Sequence, residues 1–250
     1  MAITILSAAE QDRMRRAGRA AAATLAYVGA RLAIGMTTAE IDRLVRVHTA
    51  TLGGTPAQLG YHGFPAAVCV SRNDVVCHGV PSADVRLADG DIVNIDVTTE
   101  LDGYHGDTSA TFVVGDVAPH ARALVERARV ARDAGIAAAG PGARLGDIGA
   151  AIARAVGTAG RIVEVYGGHG IGRAMHMDPH VAHVGRAGRG HRLREGMAFT
   201  IEPMVNAGTA AVRTEADGWT VRTADGALSA QWEHTLLIGP HGAEITTRLD

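Results

Sequence analysis

The stretch Leu87–Ser109, LADGDIVNIDVTTELDGYHGDTS, decides the fold. Its apolar, β-branched run Ile92, Val93, Ile95 and Val97 reads as a buried strand with Asp96 set into it. Asp102-Gly103 is a hairpin dipeptide, because the two central positions of the tight turn both require positive φ. The chain then returns with Asp107 about as far from the turn as Asp96, so two carboxylates sit near each other on paired strands. Two unpaired negative charges are costly to bury, and either a proton or a cation must compensate them. The acids and the histidine further along the chain favour the cation.

Upstream, Ser7-Ala8-Ala9-Glu10 is a capping box that predicts a helix to about Ala33, stopped by Gly35. Thr37-Thr38-Ala39-Glu40 is a second capping box, followed by the helical face Ile41, Leu44, Val45 and His48. A strand is predicted over Ala66–Ser71. Downstream of Gly115 the pattern starts again: Pro119 opens a helix through Ala139, Gly140-Pro141-Gly142 breaks it, and Ile148, Ile152 and Val156 mark a second, shorter helix.

The repetition can be traced residue by residue. Gly35 and Ile41 stand six apart, as do Gly142 and Ile148, and His78-Gly79-Val80 recurs as His169-Gly170-Ile171. Leu87-Ala88-Asp89-Gly90 with Ile95-Asp96 recurs at the same intervals as Leu193-Arg194-Glu195-Gly196 with Ile201-Glu202. Gly106-Asp107-Thr108 has its counterpart in Trp232-Glu233-His234-Thr235. Each half is helix, helix, strands, and neither alone would cover its sheet. The expectation is one α/β domain over residues 1–250, built of pseudo-repeats at about 7–115 and 119–240 around a shared twofold site. Asp96, Asp107, Glu202 and Glu233 would converge on that axis.

Two aspartates, two glutamates and a histidine suit a pair of divalent ions bridged by carboxylates, with Mn²⁺, Fe²⁺, Co²⁺ or Zn²⁺ fitting the mixture of oxygen and imidazole. Any one of these acids alone reads as an ordinary strand-end residue. Four of them in repeat-related apolar strands, with His169 between glycines, do not.

Composition narrows the alternatives. The net charge is −2 with no basic tail, so the overall balance implies neither a nucleic-acid nor an anionic-membrane partner. The N-terminal segment lacks the order of a signal peptide, and the Ala-rich run after Arg19 is too weakly hydrophobic to span a bilayer, which predicts a soluble, cytoplasmic protein. All 24 basic residues are arginine, which excludes a lysine Schiff base and a phosphate-binding P-loop. Cys69 and Cys77 are too few for a thiolate zinc site, and Cys77 reads as core because it and His78, adjacent on a strand, would face opposite ways. Gly168-His169-Gly170-Ile171-Gly172 lacks the spacing of a dinucleotide turn. His48, His105, His120, His180, His183, His191 and His241 read as surface or structural.

Seven ordered motifs together resemble type I methionine aminopeptidase: Tyr61-His62-Gly63-Phe64-Pro65, Asn73–Gly79, Asp91–Val97, His105–Ser109, Gly168–Gly172 through His176, Phe199–Asn206 and Gln231–Thr235. The resemblance spans essentially the whole chain and implies the pita-bread fold and removal of the initiator methionine from nascent polypeptides. It implies Asp96, Asp107, His169, Glu202 and Glu233 as ligands of two divalent ions, Asp107 and Glu233 bridging, with Glu202 also handling the proton of the attacking hydroxide. His78 and His176 would contact the scissile peptide and steady the tetrahedral intermediate. Tyr61, Phe64, Cys69, Met175 and Trp219 would line the methionine pocket. Met175 stands where an aromatic residue is expected, and Met177-Asp178 precede Pro179 where acidic or small residues are commoner. The short bacterial form, acting as a monomer with at most transient ribosome contact, is what the resemblance implies. A proline-directed aminopeptidase would share the five ligands but usually carries an extra N-terminal domain; a binding protein of the same fold normally loses ligands, and here all five are present.

Overall fold

The computed structural model describes residues 3–249, so the first two residues and the last of the expected 1–250 domain lie outside the described residues. Each helix begins where local chemistry satisfies its free N–H groups. Glu10 Oε2 accepts the Ser7 N–H at the head of α1 (Ala8–Gly29), and Thr37 and Glu40 exchange bonds at the head of α2 (Thr38–Thr51). The strands β1 (Thr55–Pro56), β2 (Cys69–Arg72), β3 (Val75–Cys77), β4 (Ile92–Leu101) and β5 (Tyr104–Val113) complete the first half.

Helix α3 (Pro119–Ala137) starts on a proline, whose missing N–H costs nothing in the first turn, and α4 (Leu145–Val156) on Asp147, which accepts the Arg144 N–H at 2.7 Å. The second half is completed by β6 (Arg161–Ile162), β7 (Gly167–Gly170), β8 (Met177–Ala182), β9 (Ala198–Ile201), β10 (Met204–Asn206), β11 (Val212–Thr214), β12 (Val221–Thr223), β13 (Ser229–Gln231), β14 (His234–Ile238) and β15 (Ala243–Ile245). The order is therefore helix, helix, strands, twice over.

β4 lies at the centre of a four-stranded sheet, with β5 along one edge and β1 and β2 sharing the other. β9 holds the corresponding place in a five-stranded sheet ordered β15-β14-β9-β7-β8. Two apolar cores back these sheets: Ile41, Val45, Val93 and Ile95 in the first half, Ile148, Ile152, Phe199 and Ile201 in the second, with Trp232 packed against both. Backbone bonds and threonine hydroxyls stitch the halves together along β5 and β14. The Glu233 N–H donates to the Ser109 carbonyl at 3.0 Å, and Thr235 Oγ1 accepts from Asp107 N and donates to Asp107 O.

Three expectations differ in detail. Helix α1 stops at Gly29 rather than near Ala33, where Arg31 doubles back to donate to the Tyr27 carbonyl at 2.8 Å and stacks its guanidinium on that ring. The strand predicted from Ala66 starts only at Cys69, because the Ala67 N–H is taken by Asp42 Oδ1 of α2. His78 is not on the strand with Cys77: β3 ends at Cys77, and His78 turns away at φ 54°. Among the described residues no helix is long and apolar enough to cross a membrane.

Candidate metal centre

The hairpin turn at Asp102 (φ 54°) and Gly103 (φ 75°) sets the register that brings the first two carboxylates together. Asp96 lies opposite Ser109 and Asp107 opposite Thr98, so Asp107 is two residues nearer the turn than an even pairing would place it. Side chains alternate along a strand, and these two pairs therefore share one face, with the aspartates as diagonal neighbours. Glu202 comes directly after the last residue of β9 and Glu233 directly before the first of β14, which brings them up against the same face across the seam.

Hydroxyl and amide donors aim the carboxylates. Thr98 Oγ1 donates to Asp107 Oδ1 at 2.8 Å and Thr200 Oγ1 to Glu202 Oε1 at 2.7 Å, while Gln231 Nε2 lies 3.3 Å from Glu202 Oε2. His169 enters from β7. The glycines on either side of it are required by close approach: a Cβ at Gly168 would meet the Thr200 carbonyl, and one at Gly170 the Asp178 carbonyl. Its Nδ1 bonds the Gly170 carbonyl at 3.1 Å, which leaves Nε2 facing the acids, 3.5 Å from Glu202 Oε1 and 3.7 Å from Asp107 Oδ2.

Burial and mutual repulsion push the Asp96 and Glu233 carboxyls well above the ordinary carboxylate range. Burial likewise raises Asp107 to about 7 and Glu202 to about 8. Burial holds His169 near 3 and His176 near 4, each lowered further by a neighbouring imidazole, so both rings are neutral at pH 7. Asp96 Oδ1 is buried without a hydrogen-bond partner among the described residues, and Asp107, His169 and Glu233 each offer a ligand atom within 4.8 Å of the others. An orphaned carboxylate oxygen and an oxygen-rich set with one imidazole both fit divalent cations.

All five expected ligands line one cavity of ≈ 290 Å³. Its other walls are His78, His176, Tyr61, Phe64, Cys69, Met175 and Trp219, so every residue expected at the site reaches it. His176 Nδ1 lies 2.9 Å from the Tyr61 hydroxyl, and Phe64 meets Trp219 edge to face at 5.2 Å between ring centroids. The repeat pairs His78 with His169, but only His169 stands against the acids; His78 packs edge-on to Tyr166. Two cavity residues, Gln58 and Thr98, escaped the sequence reading. Thr98 carried one usable signal, its two-residue spacing from Asp96 on the same strand face; Gln58, in irregular chain, carried none. His183 proves structural rather than superficial, since its buried Nε2 accepts the Glu202 N–H at 3.2 Å.

Buried Asp, Glu and His donors at the seam of a two-half α/β fold, sharing a cavity with apolar side chains, have the make-up of a divalent-metal enzyme site. The family model of "Metallopeptidase family M24" matches residues 12–240. "Methionine aminopeptidase B" of Synechocystis is 49% identical over 253 residues, covering 98% of this chain and 92% of that protein. The chain belongs to metallopeptidase family M24, among its methionine aminopeptidases. The crystal structure of methionine aminopeptidase from Rickettsia prowazekii superposes with a TM-score of 0.97 at 44% identity, covering 99% of this chain and 100% of that one. The prolidase of Pyrococcus furiosus, at 21% identity and a TM-score of 0.76, shares the fold alone; this chain covers 66% of its length. The architecture is the pita-bread fold common to both.

Proposed function

We propose that this protein hydrolyses the peptide bond after an N-terminal methionine, with Asp96, Asp107, His169, Glu202 and Glu233 holding two divalent ions drawn from Co²⁺, Mn²⁺, Fe²⁺ and Zn²⁺. The observation that carries the reading is that these donors share one cavity of ≈ 290 Å³ with the apolar side chains of Phe64, Cys69, Met175 and Trp219. When bound, the ions supply Lewis acidity and a water acidic enough to attack near neutral pH.

The chain's own groups do the rest. Phe64, Cys69, Met175 and Trp219 take the methionine side chain, excluding water and fixing which bond is presented. Glu202 would accept the proton of the attacking water: burial raises its carboxyl in the metal-free protein, and as a ligand of the cations it is held ionised and able to take a proton. His78 and His176 line the same cavity, where a neutral imidazole N–H can donate to the oxygen of the tetrahedral intermediate. The residue after methionine passes beneath these two rings and has to be small.

The reading extends to nascent polypeptide N-termini as substrates of a cytoplasmic monomer whose contact with the ribosome is transient. Comparison of kcat/KM for Met-Ala, Met-Lys, Leu-Ala and Ala-Pro peptides, with and without added metal, tests it against the proline-directed reading.

A further inference from the structure

One edge of β4 has a gap, and a side chain fills it. β2 pairs with β4 from Arg72↔Val93 to Cys69↔Asp96, and β1 resumes only at Pro56↔Thr99. Across that gap the Gln58 amide behaves as a piece of strand. Its Nε2 donates to the Asp96 carbonyl at 2.8 Å, and its Oε1 accepts the Thr98 N–H at 3.2 Å, while the Ala57 N–H donates to the Thr98 carbonyl at 2.9 Å. The Gln58 side chain thus grips both ends of the three-residue segment that bears the Asp96 carboxylate and the hydroxyl aimed at Asp107.

Gln58 is 6% exposed and lines the cavity, where its Nε2 also lies 3.9 Å from Cys69 Sγ. A buried amide with one N–H spent on a backbone carbonyl has a second to place, and here it is turned towards divalent sulfur. An incoming methionine offers the same atom type. The 3.9 Å contact to Cys69 is long even for sulfur, so a substrate thioether adds an acceptor for the N–H, whereas an isosteric methylene adds none and leaves it to Cys69 alone.

We propose that Gln58 is a positioning and specificity residue of this site: it fixes the Asp96–Thr98 backbone so that the carboxylates hold their ion, and its amide N–H favours a thioether over the matching hydrocarbon. The inference rests on the metal-ligand and methionine-pocket assignments proposed above. Partners that orient ligating carboxylates change metal affinity by roughly 10–100-fold when removed.

Gln58→Leu deletes both backbone bonds at similar volume, and Gln58→Met does so with a more adaptable side chain should the leucine disturb folding. Titration calorimetry of metal-free protein with Mn²⁺ should show binding weakened by about tenfold or more in either variant, with circular dichroism unchanged. The ratio of kcat/KM for Met-Ala to that for norleucine-Ala, measured at saturating Mn²⁺, should fall towards unity. A folded variant with the parent's Mn²⁺ affinity would overturn the positioning role, and one with the parent's ratio the specificity role. Failure of the parent itself to cleave Met-Ala would instead sink the proposed activity, while the Mn²⁺ titration would still report on Gln58.

Discussion

The Tyr61 hydroxyl lies 2.9 Å from His176 Nδ1, and on its other side the His176 ring stands 4.1 Å, centroid to centroid, from His169. The phenol can therefore fix the imidazole's tautomer: with Tyr61 donating to Nδ1, the proton sits on Nε2 and serves as a donor. Burial keeps the ring neutral down to about pH 4. Tyr61→Phe should lower kcat by roughly tenfold with a smaller change in KM, short of the ~10²–10³-fold expected for removing the donor outright in His176→Ala. Steady-state kinetics on Met-Ala-containing peptides check this; an unchanged kcat in Tyr61→Phe would detach the tyrosine from the histidine's role.

Glu202→Gln retains shape and one ligand oxygen but cannot take a proton. Turnover should fall by at least ~10²–10⁴-fold. Metal content, measured by elemental analysis, should fall much less, because Thr200 still has an oxygen to bond. A two-ion variant turning over at the parent rate would refute the proton-carrying role.

Crowding of the carboxyls makes the metal-free protein's stability depend on pH in a definite direction. Asp107 and Glu202 rise from 3.8 and 4.5 to about 7 and about 8, and Asp96 and Glu233 shift the same way. Between those limits the folded state holds more protons than the unfolded chain, so stability is present at low pH and lost as pH climbs through the folded values. His169, His176 and His183, lowered from 6.5 to between about 3 and about 4, oppose this only below pH 6.5. Chelated protein should accordingly show a falling Tm from pH 6.5 to 8. Excess Mn²⁺ should raise Tm and flatten or reverse that slope, since the ion replaces the protons. The same chelation should abolish activity and Mn²⁺ or Co²⁺ should restore it; full activity of rigorously metal-free protein would sink the assignment.

Pocket specificity turns on Met175, 5% exposed on the cavity wall. A thioether side chain packs readily on substrate sulfur but constrains shape less than an aromatic ring. N-terminal methionine should remain preferred, norleucine should be tolerated, and leucine should be disfavoured by about 1–3 kcal/mol in kcat/KM. Met-Lys cleaved as well as Met-Ala would contradict the small second-residue pocket, and Ala-Pro cleaved best would favour the proline-directed alternative.

Gly106, beside Asp107, sits where β5 passes under α1. A Cβ there would come within 2.5 Å of Ala17 and Gly18 backbone atoms, which no rotamer change can relieve. Gly106→Ala should destabilise the protein by about 1–3 kcal/mol, read as a lower urea midpoint. A parent-like midpoint would mean that α1 shifts freely over the sheet.

The sequence by itself determined those features whose causes act within a few residues. Asp102-Gly103 dictates the two-residue turn, the Thr37 and Glu40 pair dictates where α2 starts, and the apolar period of Ile148, Ile152 and Val156 marks the buried face of α4. The recurrence of Ile95-Asp96 as Ile201-Glu202 let the two halves be matched before any contact was known. Tertiary structure alone decided what lies between segments distant in the chain. That Thr235 clasps both backbone groups of Asp107, that His183 props Glu202 and that Gln58 completes the edge of β4 are contacts spanning 19 to 128 residues. No local propensity encodes such partners: Thr235 meets Asp107 where the two sheets join at a common seam, while His183 and Gln58 reach theirs because each half folds back on its own sheet.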